Sequence, residues 1–225
     1  MSQKVLVIDV GGTHVKILVT GRRKRRQFSS GHELGAAEMV ENVKTLVDDW
    51  KFDVVSIGYP GPVLHDRIAA EPHNLGAGWM AFDFRAAFGC PVKLINDAAM
   101  QALGGYRGGR MLFLGFGTGL GSAFIVDGLV EPMELGHLPY KKGTYEDYVG
   151  ARAFDKKKKK KKWEKHVHAV IEQLRTALEP DDILLGGGNA KHVRTLPPGC
   201  RLGNNADAFA GGFQLWSGGD KTRSR

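Results

Sequence analysis

The chain has 225 residues, of which 42% are hydrophobic and 25% are charged, as in an ordinary globular protein. This length allows one or two domains with a sizeable core, and no stretch approaches the roughly 18 apolar residues that a membrane helix needs. The amino terminus has no apolar signal region, and Cys90 and Cys200 form no Cys-x-x-Cys pair. We therefore expect a cytoplasmic protein with neither a disulfide framework nor a cysteine-built zinc site. The net charge of +8 indicates an anionic partner.

The first half of the chain alternates apolar strand patterns with helical ones. Short apolar runs bounded by glycines and turns predict strands at residues 5–8, 15–19, 27–29, 53–58 and 92–95. Apolar residues at three- and four-residue steps predict a helix over 36–50, and an alanine-rich helix follows Asp97. The loop between the first two strands is too short for a parallel crossover, so they form an antiparallel hairpin. The basic run 22–26 then forms the tip of the next hairpin.

The second half begins the same pattern again. It predicts strands at 111–114, 122–126 and 182–185, a helix ending near Leu178, a final helix over 206–216 and a frayed tail at 217–225. Both halves open with an apolar strand, a glycine–threonine loop and a second apolar strand. We therefore expect two similar lobes, residues 1–108 and 109–216, with the two loops facing each other across a cleft.

The two glycine–threonine loops predict phosphate binding. The first comprises Asp9, Gly11, Gly12 and Thr13 with Lys16 beyond it, and the second includes Gly117, Thr118 and Gly119. Glycines let backbone amides approach a phosphate, and a threonine hydroxyl adds a donor. Asp9 can hold Mg²⁺ through water, because magnesium keeps much of its hydration. Neither a dinucleotide fingerprint nor a Gly-Lys-Ser/Thr loop is present, and the simpler alternative is a pair of tight hairpin turns.

Asn96 and Asp97 lie where a predicted strand passes into a helix. The local pattern alone favours a helix cap at Asp97, which is a common role for aspartate. The alternative is a general base that takes the proton from an attacking hydroxyl. The two phosphate loops in the same chain favour the base.

Six motifs together resemble a known family. They are Asp9-x-Gly11-Gly12-Thr13, Gly58-x-Pro60-Gly61-Pro62-Val63, Asn96-Asp97, Gly115-x-Gly117-Thr118-Gly119-x-Gly121, Glu134-x-Gly136-His137 and Gly186-Gly187-Gly188-Asn189. In this order they resemble the sugar kinases of the repressor, open reading frame, kinase (ROK) group, in the actin, hexokinase and Hsp70 superfamily. Residues 135–140 and the pair Glu146-Asp147 look most like the polyphosphate glucokinases. The resemblance covers residues 4–216 and implies an α/β fold of two actin-like, ribonuclease H-like lobes with a central cleft, and a homodimer.

The resemblance also implies a role for individual residues. Asp97 would be the catalytic base of a hexose kinase that transfers phosphate from polyphosphate or ATP, with Mg²⁺, to the 6-hydroxyl of glucose. The sugar would be held by Asn74, Gly76, Asn96, Asp97, Glu134, His137 and Glu146. Carboxylates and amides suit a sugar, whose many hydroxyls need directional hydrogen bonds. The segment that borders adenosine in nucleotide-using members corresponds here to Gly187, Gly188 and Asn189.

One departure from the family pattern concerns zinc. Many relatives carry a cysteine-rich zinc motif after the Glu-x-Gly-His element, whereas residues 138–145 of this chain contain no cysteine. We therefore expect no zinc, and expect His137 to contact sugar instead of metal. The polyphosphate-using relatives also lack this motif, so the departure agrees with that subgroup.

Several alternatives stay open. The acceptor could be fructose, mannose or N-acetylglucosamine, and the chain could be a non-catalytic sugar-binding regulator. The family's repressors carry a winged-helix domain ahead of the kinase-like part, for which we expect no room before Asp9. The basic runs 22–26 and 156–162 lack interleaved aromatic residues, so we expect no nucleic-acid partner, and we expect no membrane partner either. Each run is either a solvated surface of an ATP-dependent kinase or a track for polyphosphate, whose binding would weaken with salt.

Overall fold

A computed structural model of the chain describes residues 3–154, 160–204 and 206–217. The chain divides into two compact units, which we call unit 1 (Met1–Gly104 with Ala208–Arg225) and unit 2 (Gly105–Asp207). Each contains a mixed sheet and helices, which confirms the α/β class. The units differ from the predicted lobes in two respects, because the boundary lies after Gly104 and not after residue 108, and because the last helix belongs with unit 1. The cleft between the lobes stays a prediction.

Unit 1 is built on a five-stranded sheet. The strands of unit 1 are β1 (Val5–Val10), β2 (His14–Val19), β3 (Arg26–Ser29), β4 (Val54–Tyr59), β5 (Val63–Leu64), β6 (Arg67–Ile68) and β7 (Val92–Asn96). The sheet has the order β3-β2-β1-β4-β7, while β5 and β6 form a separate hairpin. The first three strands are antiparallel, and β1, β4 and β7 are parallel. Both predicted hairpins at the start of the chain are therefore confirmed.

Four helices accompany this sheet. They are α1 (Ala36–Leu46), α2 (Phe84–Phe88), α3 (Asp97–Gly105) and, from the end of the chain, α7 (Asp207–Gln214). The apolar spacing of α1 buries Met39, Val40 and Val43 in one core with β1, β2 and β4. The last helix packs instead on Val5, Val7 and Val54 at the other face. The prediction that residues 206–216 belong to the second lobe thus differs from the structure.

Unit 2 repeats the topology of unit 1. Its strands are β8 (Arg110–Phe116), β9 (Leu120–Val126), β10 (Leu129–Met133), β11 (Pro139–Tyr140), β12 (Gly143–Thr144), β13 (Asp182–Gly186) and β14 (Cys200–Leu202). The sheet has the order β10-β9-β8-β13-β14, and β11 pairs with β12. As in unit 1, the first three strands of the five-stranded sheet are antiparallel, and its other pairs are parallel. This confirms the predicted structural repeat.

The helices of unit 2 follow β10 in the chain. They are α4 (Tyr145–Val149), α5 (Ala151–Phe154) and α6 (Lys160–Leu178), with short 3-10 helices at Leu135–His137 and Ala190–His192. The buried face of α6 includes Trp163, Val167 and Val170 and packs against β8 and β13. This helix begins within the lysine run, of which residues 156–159 lie outside the described part of the chain. Among the described residues, we find no helix that is both long and apolar enough for a membrane span.

Candidate functional site

The parallel strands of unit 1 bring the candidate acidic residues to one edge of the sheet. The strand register pairs Asp9 of β1 with Gly58 of β4, and Tyr59 of β4 with Asn96 of β7. Asp97 follows at once as the first residue of α3. Ligands of α/β sheets commonly bind at the carboxyl ends of parallel strands, where the chain enters loops and helices. Two of the predicted acidic residues therefore lie at the edge where a ligand is expected.

The first glycine loop is braced by hydrogen bonds with His14, at the start of β2, and with Ser30, which follows β3. Gly11 N donates to His14 O at 3.1 Å, and Ser30 Oγ donates to Gly11 O at 2.5 Å. Ser30 is buried, and we did not predict its role from the sequence. Beside the loop, Lys16 Nζ lies 3.0 Å from Asp9 Oδ2, and the two side chains are 35% and 14% exposed. A carboxylate and an ammonium thus meet next to the predicted phosphate loop, of which Gly12 is half-buried and Thr13 exposed.

Asn96, and not Asp97, caps helix α3. Asn96 Oδ1 accepts from Ala99 N at 3.0 Å, the geometry of an N-cap residue. Its Nδ2 donates to Gly61 O at 3.1 Å, and the residue is buried. Asp97 occupies the first helical position, is half-buried and accepts at Oδ1 from Ala98 N at 2.8 Å. The cap interpretation that we weighed for Asp97 therefore applies to its neighbour, and a sugar contact of Asn96 would use the second N–H of its amide.

The segment that contains Asn74 and Gly76 is fixed from beneath. Gly76 N donates to Leu34 O at 3.1 Å, and the indole Nε1 of Trp79 donates to the same carbonyl at 3.3 Å. Trp79 is fully buried, and its backbone N donates to the carboxylate of Glu71 at 3.1 Å. Asn74 itself is exposed. The segment therefore presents the Asn74 amide from a braced loop, and the bracing by Glu71 was not predicted.

The second glycine loop is closed within unit 2 by its own backbone and by α5. Gly117 N lies 3.1 Å from both Gly115 O and Gly119 O. Ala151 N, at the start of α5, lies 3.1 Å from the carbonyl oxygens of Gly117 and Thr118. Thr118 is exposed and Gly117 has open space where a side chain would be. The tip of the loop is thus held in place and open to a ligand.

Gly187, Gly188 and Asn189 pack against the same loop. Asn189 N donates to Phe116 O at 2.9 Å, and its Nδ2 lies 3.5 Å from Gly117 O. Gly187 has a φ of +78°, and a Cβ atom there would lie 2.5 Å from Phe116 O. This position therefore requires glycine, both for its left-handed backbone and for the close approach. Gly188 is exposed and has open space around it.

Glu146 contributes a carboxylate to the second loop. Its Oε2 accepts from Leu120 N at 3.3 Å, and a methyl group on Gly119 would overlap the same oxygen. Glu146 lies in the first turn of α4, which a reciprocal capping box of Thr144 and Asp147 fixes. Hydrogen bonds from the backbone N–H and the side-chain hydroxyl of Thr144 lower the pKa of the Asp147 carboxyl. The exposed Glu146 carboxylate is therefore oriented toward the loop by a fixed helix start.

Glu134 precedes the short helix Leu135–His137, and His137 is its last residue; the helix is packed on the end of the loop. A Cβ atom on Gly136 would lie 2.8 Å from Leu120 O, so the helix can approach only because this residue is glycine. Ser122 Oγ accepts from Leu135 N at 3.1 Å and holds the other side. Glu134 and His137 are both exposed. In unit 2, therefore, Glu146 contacts Leu120 N, and the glycine between Glu134 and His137 approaches Leu120 O.

The metal predictions concern Mg²⁺ and zinc. Within the described residues no group of three or more His, Cys, Asp or Glu side chains is arranged to hold a metal ion. Cys90 and Cys200 are free thiols, one in each unit. Mg²⁺ commonly takes one or two protein carboxylates and completes its shell with water and substrate phosphates. Asp9 beside the glycine loop fits that mode, so magnesium stays a prediction for this position, and so does the expectation of no zinc.

Comparison with known proteins gives consistent matches. The model of the ROK family matches residues 5–144. The polyphosphate glucokinase of Mycobacterium tuberculosis is 31% identical over 214 residues, covering 85% of this chain and 80% of that protein. The inorganic polyphosphate/ATP-glucomannokinase of Arthrobacter sp. strain KM aligns with a TM-score of 0.82 and 23% identity, over 95% of this chain and 98% of that one. A ROK family glucokinase from Streptomyces griseus, solved with glucose and AMPPNP, has a TM-score of 0.78 and 16% identity over 94% and 98% of the two chains. The two structural matches show a shared fold.

Proposed function

This chain belongs to the ROK family, and from that premise we propose that it is a hexose kinase acting on the 6-hydroxyl of glucose. The relationship to polyphosphate glucokinase supports the acceptor and the reaction class. The observation that carries the catalytic assignment is the capping of α3 by Asn96. Because Asn96 already caps α3, the helix does not need Asp97 as its cap. Asp97 lies at the same edge of the sheet as Asp9.

In the proposed reaction, the sugar hydroxyl oxygen attacks the terminal phosphorus of the donor while the bridging P–O bond breaks. Asp97 accepts the hydroxyl proton, and the leaving phosphate carries the negative charge away. Backbone amides of the two glycine loops, with Thr13, Thr118 and Lys16, hold the donor phosphates. Mg²⁺, held through water by Asp9, would neutralise charge on those phosphates. Most of the rate gain in such transfers comes from positioning and charge neutralisation.

Sugar binding is assigned to residues of both units. Asn74, Gly76, Asn96 and Asp97 belong to unit 1, and Glu134, His137 and Glu146 belong to unit 2. We therefore propose that both units contribute to one reaction, as in two actin-like lobes. If ATP is the donor, Gly187, Gly188 and Asn189 would border its adenosine. The homodimer, which the family resemblance implies, and the cytoplasmic location, which the cysteine usage favours, are parts of the same proposal.

The test is product analysis with a panel of sugars. The purified protein is incubated with Mg²⁺, either ATP or polyphosphate, and glucose, mannose, fructose or N-acetylglucosamine, and ³¹P NMR identifies the phosphorylated position. We expect a 6-phosphate signal with glucose that is absent when sugar is omitted. Phosphate release without any sugar phosphate would contradict the kinase proposal. Phosphorylation of another hexose in preference to glucose would correct the acceptor alone.

A further inference from the structure

Five basic residues of unit 2 lie in two segments that contact Phe154, at the end of α5. Lys160, Lys161 and Lys162 begin α6, and Lys191 and His192 lie in the short helix that follows Asn189; we call these five the basic surface. All four lysines are exposed and His192 is half-buried. We infer that the basic surface binds the distal phosphates of a linear inorganic polyphosphate whose terminal phosphate lies at the second glycine loop. This inference rests on the proposed kinase function and names its donor.

Helix α5 connects the loop to the basic surface. It begins with Ala151, whose N–H is bonded to the loop carbonyls, and it ends at Phe154. At a rise of about 1.5 Å per residue, Phe154 lies about 5 Å further along the helix axis than Ala151. The His192 ring stacks on Phe154 with centroids 4.6 Å apart, and Lys160 Nζ lies 5.5 Å from the centroid of the same ring. One turn of helix and one ring therefore separate the loop from two members of the basic surface.

The charges of the basic surface are not neutralised by acidic side chains within the described part of the chain. None of the ion pairs there involves Lys160, Lys161, Lys162 or Lys191. Glu164, one turn further along α6, directs its carboxylate to the backbone N–H groups of Arg194 and Thr195 at 2.6 and 3.1 Å. Cations in the first turn of a helix also face the positive end of its dipole. Bound anionic phosphates would relieve the repulsion among the lysines and the repulsion between the lysines and the helix dipole.

The other basic run of the chain is used differently. Arg26 forms a paired hydrogen bond with Asp49, and the guanidinium carbon of Arg26 lies 4.5 Å from the centroid of the Trp50 ring. Arg22 lies 3.8 Å from Asp49 and 5.5 Å from the Trp50 centroid. These contacts fix the β2–β3 hairpin to the end of α1, so its flanking arginines have a structural purpose. The exposed residues left at the tip are Arg23, Lys24 and Arg25, with the same charge as the three lysines of α6.

The chemistry of the basic surface favours polyphosphate over other polyanions. Lysine binds phosphate as a point charge, without reading a base or a sugar. Sequence-tolerant binding of single-stranded nucleic acid uses exposed aromatic platforms, whereas Phe154 is already packed against His192 and Trp163. A nucleoside triphosphate carries its charge on only three adjacent phosphates. A long polyphosphate has charge along its whole length and can reach both the loop and the basic surface.

The test compares two triple variants with the same change of charge. One carries Lys160→Gln, Lys161→Gln and Lys162→Gln, and the control carries Arg23→Gln, Lys24→Gln and Arg25→Gln. We expect the α6 variant to raise KM for long-chain polyphosphate about tenfold or more, and to lower the salt slope of its binding by about 2, since three phosphate contacts are lost. Its KM for tripolyphosphate or ATP should stay within about twofold. The control variant should match the wild type with every donor, and circular dichroism checks that both are folded.

Calorimetric titration with long-chain polyphosphate separates this inference from the kinase proposal. If no sugar is phosphorylated but polyphosphate binds the wild type at least tenfold more tightly than the α6 variant, the basic surface stands and the kinase proposal fails. Equal losses in the two triple variants would overturn the inference, because net charge alone would then explain binding. Unchanged polyphosphate binding in the α6 variant would also overturn it. So would an oligonucleotide of matched length that binds as tightly as polyphosphate.

Discussion

The two units have the same sheet and different chemistry at equivalent positions. One pair before the last of each hairpin, unit 1 has Asp9 opposite Lys16, and unit 2 has Gly115 opposite Gly121. The neighbouring parallel strand contributes glycine in both units, Gly58 in one and Gly186 in the other. Unit 2 obtains its carboxylate from elsewhere, because Glu146 comes from α4, between β10 and α6. The same backbone topology therefore forms a glycine loop in each unit, and the two loops differ in the side chains that surround them.

The same contrast holds where a strand passes into a helix. Asp97 begins α3 after β7, and Asp207 begins α7 after β14. Asp207 Oδ2 accepts from Asn204 N at 2.7 Å, and so it fixes the turn before its helix. In unit 1 the capping is done by Asn96. Two aspartates at equivalent places thus have different surroundings, which makes them a matched pair for mutation.

The largest expected effect comes from exchanging these two aspartates for asparagine. Asp97→Asn should lower turnover by about 10²–10⁴, the range for loss of a positioned acid or base, while sugar binding persists. Asp207→Asn should leave turnover within about threefold of the wild type, since its contact is local to the helix start. Initial rates and a sugar titration measure both. Near-normal turnover of Asp97→Asn, or equal losses in the two variants, would remove Asp97 from the mechanism.

A smaller effect should distinguish two adjacent glycines in unit 2. Gly187→Ala places a methyl group 2.5 Å from Phe116 O at a φ of +78° and should reduce the free energy of unfolding by about 1–3 kcal/mol. Gly188→Ala enters open space and should change it by less than about 0.5 kcal/mol. Urea unfolding gives both values. Equal effects would mean that the close approach to β8 does not constrain this segment.

The smallest expected effect concerns His166, the one buried histidine among the described residues. Its Nδ1 lies 3.1 Å from Tyr140 Oη, and its Nε2 has no hydrogen-bond partner within the described part of the chain. Burial, with Lys141 and Lys162 nearby, lowers the pKa of His166 below its usual value of 6.5, so the ring takes up a proton at lower pH in the folded protein than in the unfolded chain. Below pH 6.5 the unfolded chain takes up a proton that the folded chain does not, so stability falls as the pH decreases.

The free energy of unfolding should fall as the pH decreases from 7.5 to 5.5, and the proton uptake of a single group limits this slope to at most about 1.4 kcal/mol per pH unit. His166→Phe keeps an aromatic ring beside Tyr140 and Tyr148 but removes the titration. We therefore expect a shallower dependence of unfolding free energy on pH in this variant, measured by urea titration across that range. A slope identical to that of the wild type would show that the histidine does not contribute.

Local sequence signals predicted the hairpins and the glycine loops, because strand periodicity and glycine spacing act within a few residues. They could not place α7, since an amphipathic pattern shows that a face is buried without showing its partner. Ser56 Oγ donates to Gly212 O at 2.7 Å across 156 residues of sequence, a contact that only the tertiary fold defines. The predicted helix over 36–50 ends early, at Leu46, because Val47 departs from helical geometry with a φ of −119°.

The sequence predicted which residues the candidate site contains, but it did not predict most of the contacts that these residues make. Asp and Asn are nearly equal as helix caps, so the sequence could not decide between Asn96 and Asp97. The contact of Glu146 with Leu120 depends on how α4 starts, and the bracing by Ser30 and Glu71 depends on loop conformations. The helical start of α6 within the lysine run was also not predicted. In each case the sequence shows the functional group of a residue but does not show which residue it contacts in the fold.

The most direct test of the kinase assignment is the initial rate of glucose 6-phosphate formation by the purified chain. Glucose, Mg²⁺ and either ATP or polyphosphate are supplied, and the product is measured with an enzyme-coupled assay. We predict turnover that requires glucose and proceeds with at least one of the two donors. A folded protein that forms no glucose 6-phosphate with either donor would contradict the account.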